Sequence, residues 1–353
     1  MRRCLELAAR AGGRTRPNPM VGALVVRSGR VVGEGFHRRA GGPHAERIAL
    51  KRAGSRARGG TLVVSLEPCA HTGRTGPCVE GILQAGIRRV VAGPRDPNPK
   101  TAGKGFARLR GAGLQVRAGL LAAESRRINP VFFTWMTHRR PYVTLKAAFS
   151  ADGRMTRPAG QSPWISGAGS RRWTQRLRAG ADGILVGVGT VLRDDPQLTV
   201  RGRASSGPRP LKVVLDSRLR TPLSARLFRS GGPVWIAAGR RASKRKARAL
   251  QAAGAEVLRF PEGPEGIRLA PVLKALARRE VTHLLVEGGP KVAGSFLRGG
   301  WIDQLFCVVA PEVIGGGEPF EKRVTGDLLR RALSAPNRIF QAIGPDWIIG
   351  GAG

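Results

Sequence analysis

The chain is short of acid. Sixty-one Lys plus Arg stand against 23 Asp plus Glu, a formal net charge of +38 over 353 residues. It has one Tyr, 5% aromatic residues and 4 cysteines. No apolar stretch approaches the ~18 residues of a membrane span, so no membrane partner is expected. The opening residues Met1 to Leu7 lack the uninterrupted apolar core of a secretory signal. Four cysteines make no disulfide framework in a chain of this length, and a reducing cytoplasm is the expected setting. The acid deficit is an electrostatic invitation to nucleic acid. Its distribution argues the other way. The basic excess runs through both halves without a basic tail, and aromatics to stack bases are scarce. The densest cluster, Lys244 to Arg248, reads as the solvated face of a helix. A specific nucleic-acid partner is therefore not expected, and the charge suits attraction of small anionic substrates.

What is present is chemistry-bearing residues at telling positions. His44-Ala45-Glu46 is followed by Pro68-Cys69 and by Cys78. A His near a Glu is ordinarily a surface pair, and two cysteines are ordinarily packed thiols. The setting shifts the reading. Thr61 to Leu66 is a β-branched, apolar run that predicts a buried strand with Cys69 at its exit. Gly42-Pro43 precedes His44, and residues 45–53 predict a helix whose first turn carries Glu46. One imidazole and two thiolates suit zinc, which keeps its fourth position open in catalytic sites. The order H-x-E, then P-C and a second Cys, is the signature of zinc-dependent nucleobase deaminases, with the Glu relaying protons rather than ligating. Cys4 and Cys307 are expected to be packed thiols. Between Cys69 and Cys78 stand eight residues rich in Gly, suited to a loop over the pocket rather than to the commoner two-residue spacing.

Around these ligands lie Pro17 to Gly22, Gly33 to His37, Gly73 to Cys78 and Asp96 to Pro99. In the second half stand Lys146, Asp152-Gly153, Ser162 to Ile165, Arg178-Ala179, Gly187 to Val191, Asp194 to Leu198, Val213 to Ser217, Glu287 to Pro290 and Gly315 to Gly317. Together, and in this order, they resemble the bifunctional riboflavin-biosynthesis deaminase/reductase family across nearly the whole chain; residues 230–280 match only loosely. The resemblance implies an α/β architecture, with a cytidine-deaminase-like domain over residues 1–120, a linker over 121–141 and a dihydrofolate-reductase-like domain over 142–353. Two domains also suit the length.

The resemblance implies the following site residues. His44, Cys69 and Cys78 would hold one Zn2+ per chain, with Glu46 catalytic. Asn18, His37, His71 and Arg74 would contact a phosphorylated diaminopyrimidinone ribosylamine. In the second half Lys146 and Glu287 would be the polar pair at the reacting sugar. Ser162, Arg178, Leu198, Arg201 and Glu287 would bind that substrate, the two Arg facing its phosphate. Ala148, Trp164, Thr190, Asp194, Ser217, Gly289, Pro290, Lys291, Val292, Ala293, Gly294 and Ser295 would bind NADPH. No G-x-G-x-x-G follows the first strand of this half, so an ordinary Rossmann site is not supported. Glycine-lined strand ends at Gly187 to Thr190 and Gly288 to Pro290 are the expected alternative, where a pyrophosphate can approach backbone N–H groups. The family also implies a homo-oligomer. Two rival readings stand beside it: a nucleic-acid adenosine or cytidine deaminase, and a zinc-stabilised RNA-binding protein. The long thiol spacing and the second half count against the first, and the intact Glu46 against the second.

Overall fold

The computed structural model describes residues 1–71, 76–158, 162, 164–202, 209–315 and 322–352, with residues 322 and 323 described by backbone alone. Two compact units emerge, Met1–Arg139 and Arg140–Gly353.

In the first unit α1 (Arg2–Ala9) precedes a hairpin of β1 (Gly22–Arg27) and β2 (Arg30–Phe36). Its two-residue turn, Ser28 and Gly29, holds both residues at positive φ, as the strand twist demands of such a connection. There follow α2 (Ala45–Ala53), a tight turn at Gly54–Ala57, β3 (Thr61–Val64), α3 (Cys78–Gln84), β4 (Arg89–Ala92), α4 (Lys104–Gly111) and β5 (Gln115–Arg117). The sheet order is β2-β1-β3-β4-β5, with β3, β4 and β5 parallel. Side chains alternate across it. Ala23 and Val25 of β1 pack with Ala45 and Ala49 of α2, while Leu24 packs with Cys4 and Leu7 of α1. Gly33 and Gly35 of β2 bring α2 close: a Cβ on Gly35 would stand 2.8 Å from the Ala45 carbonyl oxygen. That approach seats the start of α2, where His44 and Glu46 lie.

Residues 121–141, expected as a linker, fold as α5 (Ala122–Ile128) and α6 (Pro130–His138) and group largely with the first unit. Buried polar side chains hold them there. Ser125 Oγ donates to the Ser65 carbonyl, and Asn129 clasps Met20, accepting from its N–H at 2.7 Å and donating to its carbonyl at 2.9 Å.

The second unit opens with β6 (Tyr142–Ser150), α7 (Ala168–Ala179), β7 (Gly183–Gly187), α8 (Val188–Asp194) and β8 (Leu211–Leu215). It continues through α9 (Arg226–Arg229), β9 (Val234–Gly239), α10 (Lys244–Ala252), β10 (Ala255–Phe260) and the short pair β11 (Glu262–Gly263) and β12 (Gly266–Ile267). After α11 (Leu269–Arg278) come β13 (His283–Val286), α12 (Pro290–Arg298), β14 (Gln304–Ala310), α13 (Lys322–Ser334), β15 (Ile339–Ile343) and β16 (Asp346–Ala352). The nine strands run β10-β9-β8-β7-β13-β6-β14-β16-β15, and only β16 and β15 break the parallel run. Leu185, Val213 and Trp235 face a core completed by α11, α12 and α13; Ile184, Val214 and Ile236 face another completed by α9 and α10. Cys307 is buried in the first of these cores. The sheet grows one way from β7 and the other way from β13. Ligands of parallel sheets bind beyond the carboxyl ends of strands at such a reversal. Gly187 and Glu287 stand at those ends.

Candidate active sites

His44 is the N-cap of α2 and carries extended backbone, so its ring projects from the helix end while Glu46 sits in the first turn. Cys69 follows the exit of β3, and Cys78 opens α3. His44 Nδ1 lies 3.2 Å from Cys78 Sγ and 3.5 Å from Cys69 Sγ, and the three donor atoms fall within 4.8 Å of one another. Cys69 Sγ accepts a hydrogen bond from the Cys78 N–H at 3.4 Å. Hydrogen bonds from Cys78 and His44 pull the Cys69 thiol down to about 4 against the burial that opposes them. The thiolate in turn raises His44, against desolvation. Glu46 is 4% exposed, and burial with the nearby Cys69 pushes its pKa up although His44 opposes. The carboxylate is thereby made a better proton acceptor than an exposed one.

His37 packs edge-on to His44, ring centroids 5.3 Å apart. Its Nδ1 is 3.0 Å from the Pro43 carbonyl, which can only accept, so the proton sits on Nδ1. Nε2 is then a lone pair, buried and without a partner among the described residues. Burial also lowers the ring's pKa, keeping it neutral. His71 is half-buried with Nδ1 3.1 Å from Thr101 Oγ1. Asn18 is exposed in a turn that its own N–H closes on the Thr15 carbonyl. Arg74 lies outside the described residues.

In the second unit a cavity of about 470 Å³ opens at the strand reversal. Lys146, Ala148, Trp164, Arg178, Thr190, Asp194, Arg201, Glu287 and Gly289 line it, and Leu198 lines a smaller neighbour of about 180 Å³. Arg178 grips Glu287 through two bonds of 2.7 Å and donates a third to the Thr199 carbonyl at 3.1 Å. Burial would raise Glu287, but Arg178 and Lys146 hold it below the usual carboxylate range. Burial lowers the Lys146 amine despite Glu287 beside it.

Profiles of two known families match this chain: the cytidine and deoxycytidylate deaminase zinc-binding region over residues 1–94, and the RibD C-terminal domain over residues 141–349. The riboflavin biosynthesis protein RibD of Aquifex aeolicus is 41% identical over 99% of this chain and 96% of its own. RibD of Acinetobacter baumannii superposes with a TM-score of 0.81 at 33% identity, covering 99% of this chain and 97% of that one. The chain belongs to the RibD family. It is a bifunctional riboflavin-biosynthesis enzyme with a deaminase half followed by a reductase half, the cytidine-deaminase-like and dihydrofolate-reductase-like architecture expected. A third match is a diaminohydroxyphosphoribosylaminopyrimidine deaminase/5-amino-6-(5-phosphoribosylamino)uracil reductase of Thermotoga maritima, 34% identical with a TM-score of 0.79 over 99% of this chain and 96% of that one. Neither a polynucleotide deaminase nor an RNA-binding protein accounts for full-length kinship of this kind.

Several expected contacts of this RibD-family chain fall elsewhere in the structure. Ser162 is exposed, its Oγ accepting from the Trp164 N–H at 3.4 Å, and is absent from the cavity lining. Ser217 lies past the end of β8, where its carbonyl accepts from the Gly239 N–H at 3.0 Å. On α12, Ala293 is fully buried in the apolar core, so its side chain is not free to meet a ligand, while Val292 is half-buried against the same core. Lys291 is exposed, and Ser295 Oγ donates to the Lys291 carbonyl at 2.9 Å. The expected glycines divide as well. A Cβ on Gly187 or Gly288 would stand 2.7 Å and 2.5 Å from Val292, so both are required by packing. A Cβ on Gly289 would meet nothing closer than Thr190 Oγ1 at 3.8 Å, and the residue lines the cavity as the N-cap of α12. Two residues escaped the sequence reading. Asn129 and Glu67 are buried polar groups whose partners lie far along the chain, and only Glu67 had a local signal, its place beside Pro68-Cys69.

Proposed function

We propose that the deaminase half is zinc-dependent and acts on a phosphorylated diaminopyrimidinone ribosylamine, and that the reductase half uses NADPH to convert the product's ribosyl group to ribityl. The observation that carries the reading is the triad of His44, Cys69 and Cys78 with buried, unligated Glu46 beside it. The donor set fits zinc: one imidazole nitrogen and two sulfurs, one already poised as thiolate, leaving the fourth tetrahedral position for water or substrate. When bound there, zinc would lower the pKa of water towards neutrality. Glu46 would take that water's proton and deliver it to the departing amine, help worth ~10²–10⁴ in rate. His37, neutral and with a free Nε2 lone pair, would accept from an amino group of the ring. Asn18, His71 and Arg74 remain proposed substrate contacts.

For NADPH, the fit rests on Gly289. The bare N-cap of a nine-residue helix opens on the cavity and offers uncapped N–H groups to a pyrophosphate. Ala148, Trp164, Thr190 and Asp194 would line the rest of the dinucleotide's path. Ser217 and Pro290 to Ser295 keep only a positional claim, with Ala293 acting through backbone alone. The bound dinucleotide would supply the hydride. Lys146 would donate a proton to the sugar oxygen freed as the ring opens, and Glu287 would accept from sugar hydroxyls. Arg178, which lines the cavity and keeps N–H donors beyond those given to Glu287 and Thr199, and Arg201 would meet the phosphate. Ser162 and Leu198 would contact the same substrate.

We place this enzyme in the cytoplasm as a homo-oligomer. Among the described residues no helix is long and apolar enough to cross a membrane. Elemental analysis, ammonia release from the pyrimidine phosphate and NADPH oxidation on its product test the whole reading. Glu46→Ala is expected to retain zinc, to lose deamination by at least ~10²-fold and to keep reduction intact. Equal loss of both activities would contradict separate sites, and folded protein without zinc would remove the metal.

A further inference from the structure

We propose that Glu67 is a positioning residue of the deaminase half, whose carboxylate caps helix α4 from outside the helix and thereby fixes the strand exit that bears Cys69. The inference rests on the zinc reading above.

Glu67 is 3% exposed and its carboxylate accepts four backbone N–H groups. Oε1 takes those of Gly105 at 3.0 Å and Phe106 at 3.3 Å; Oε2 takes those of Asp96 at 3.0 Å and Gly103 at 2.9 Å. Three of the four belong to the start of α4. Its N-cap is Gly103, held at φ 83°, which has no side chain to satisfy the helix's first N–H groups. Glu67 supplies that cap from another element, and its negative charge meets the positive end of the helix dipole. The contact continues through the backbone. A Cβ on Gly105 would stand 2.0 Å from the Pro68 carbonyl oxygen, so α4 touches the residue directly before Cys69. The loop between Asp96 and Gly103 carries Thr101, fully buried, with its Oγ1 on His71. One carboxylate thus ties a metal ligand and a pocket histidine to the same helix end. An amide in its place offers one acceptor oxygen and turns an NH2 group towards two N–H donors.

The test uses the full-length chain. Glu67→Gln is expected to bind zinc ~10–100-fold more weakly in a chelator competition, the range for groups that orient metal ligands. Deamination should lose affinity for substrate as well, with KM raised, while NADPH oxidation by the reductase half stays at the parent rate. Unchanged zinc affinity and KM would overturn the proposal. Equal loss of NADPH oxidation would overturn it too, since that marks a general folding defect. Thr101→Val provides a milder variant, expected to raise the deamination KM at unchanged zinc affinity; an unchanged KM would sever His71 from the mechanism. A parent chain that holds no zinc would instead overturn the metal reading itself.

Discussion

Lys212 stands second in the parallel strand β8 with 1% of its surface exposed, an uncommon place for an amine. Its Nζ donates to the Leu227 carbonyl at 2.7 Å and to Ser230 Oγ at 2.6 Å, clasping the turn after α9. Desolvation, helped by Arg209, lowers it from 10.5 to about 8. Between those values the unfolded chain binds more protons than the folded one. Stability of the reductase half should therefore rise with pH across that window, and be lost as pH falls through it, by at most about 1.4 kcal/mol per pH unit. Urea unfolding of the parent and of Lys212→Met at several pH values checks this. The two should diverge with rising pH, and parallel curves would refute the assignment. Burial of a lysine cannot be read from sequence, because Leu211 to Leu215 looks the same whether the amine is turned inward or reaches solvent. The same blindness applied to Arg178. Nothing in the sequence signals that its fork pairs with Glu287, 109 positions away.

At the scale of elements, the deaminase half depends on how closely α2 rests on β2. Gly35 permits that contact: a Cβ there would stand 2.7 Å from Ile48 Cβ and 2.8 Å from both Ala45 O and Ala49 N. Backbone atoms cannot rotate away, so Gly35→Ala should push the first turn of α2 outward with His44 and Glu46 on it. The expected cost is about 1–3 kcal/mol, the usual range for overpacking, together with weaker zinc binding. Gly81→Ala on α3 is the control, since its Cβ would meet nothing within 4 Å. It should be neutral or stabilising by up to about 1 kcal/mol. Thermal unfolding of both variants decides, and equal effects would dismiss the packing account. The hairpin itself was legible, because short apolar runs, Ala23 to Val26 and Val31-Val32, flank the Ser28-Gly29 turn. So was α2, opened by Gly42-Pro43. The two helices of residues 122–138 were not foreseen in full, since the side chains that dock them, Ser125 and Asn129, bond to backbone more than fifty positions distant.

At the scale of the molecule, the sequence made the central parallel strands plain and hid the outer ones. Strands β7, β8, β9, β13 and β14 are apolar runs between helices, as strands covered on both faces must be. Strand β15 is exposed along nearly its whole length, and β16 carries Gly350 where a Cβ would stand 2.4 Å from the Leu305 carbonyl oxygen. Both hold apolar residues, Ile339, Phe340 and Ile343 in β15 and Trp347 to Ile349 in β16, but neither lies in the strand–helix alternation that marks the central strands. The charge, by contrast, is visible only at this scale. A field from +38 charges acts on anything anionic, and both proposed substrates carry a phosphate. Such steering raises the rate of encounter and is screened over a Debye length of about 10 Å at 0.1 M salt. Raising ionic strength should therefore lower kcat/KM for deamination and for reduction while leaving each kcat nearly constant. The reductase should respond doubly, because NADPH is anionic too. Steady-state kinetics in a salt series measures this for both halves. A kcat/KM that stays flat for both would mean that the basic surface plays no part in capture. Parallel binding of RNA at low salt, vanishing as salt rises, would mark the same surface as unselective between anions rather than shaped for a polynucleotide.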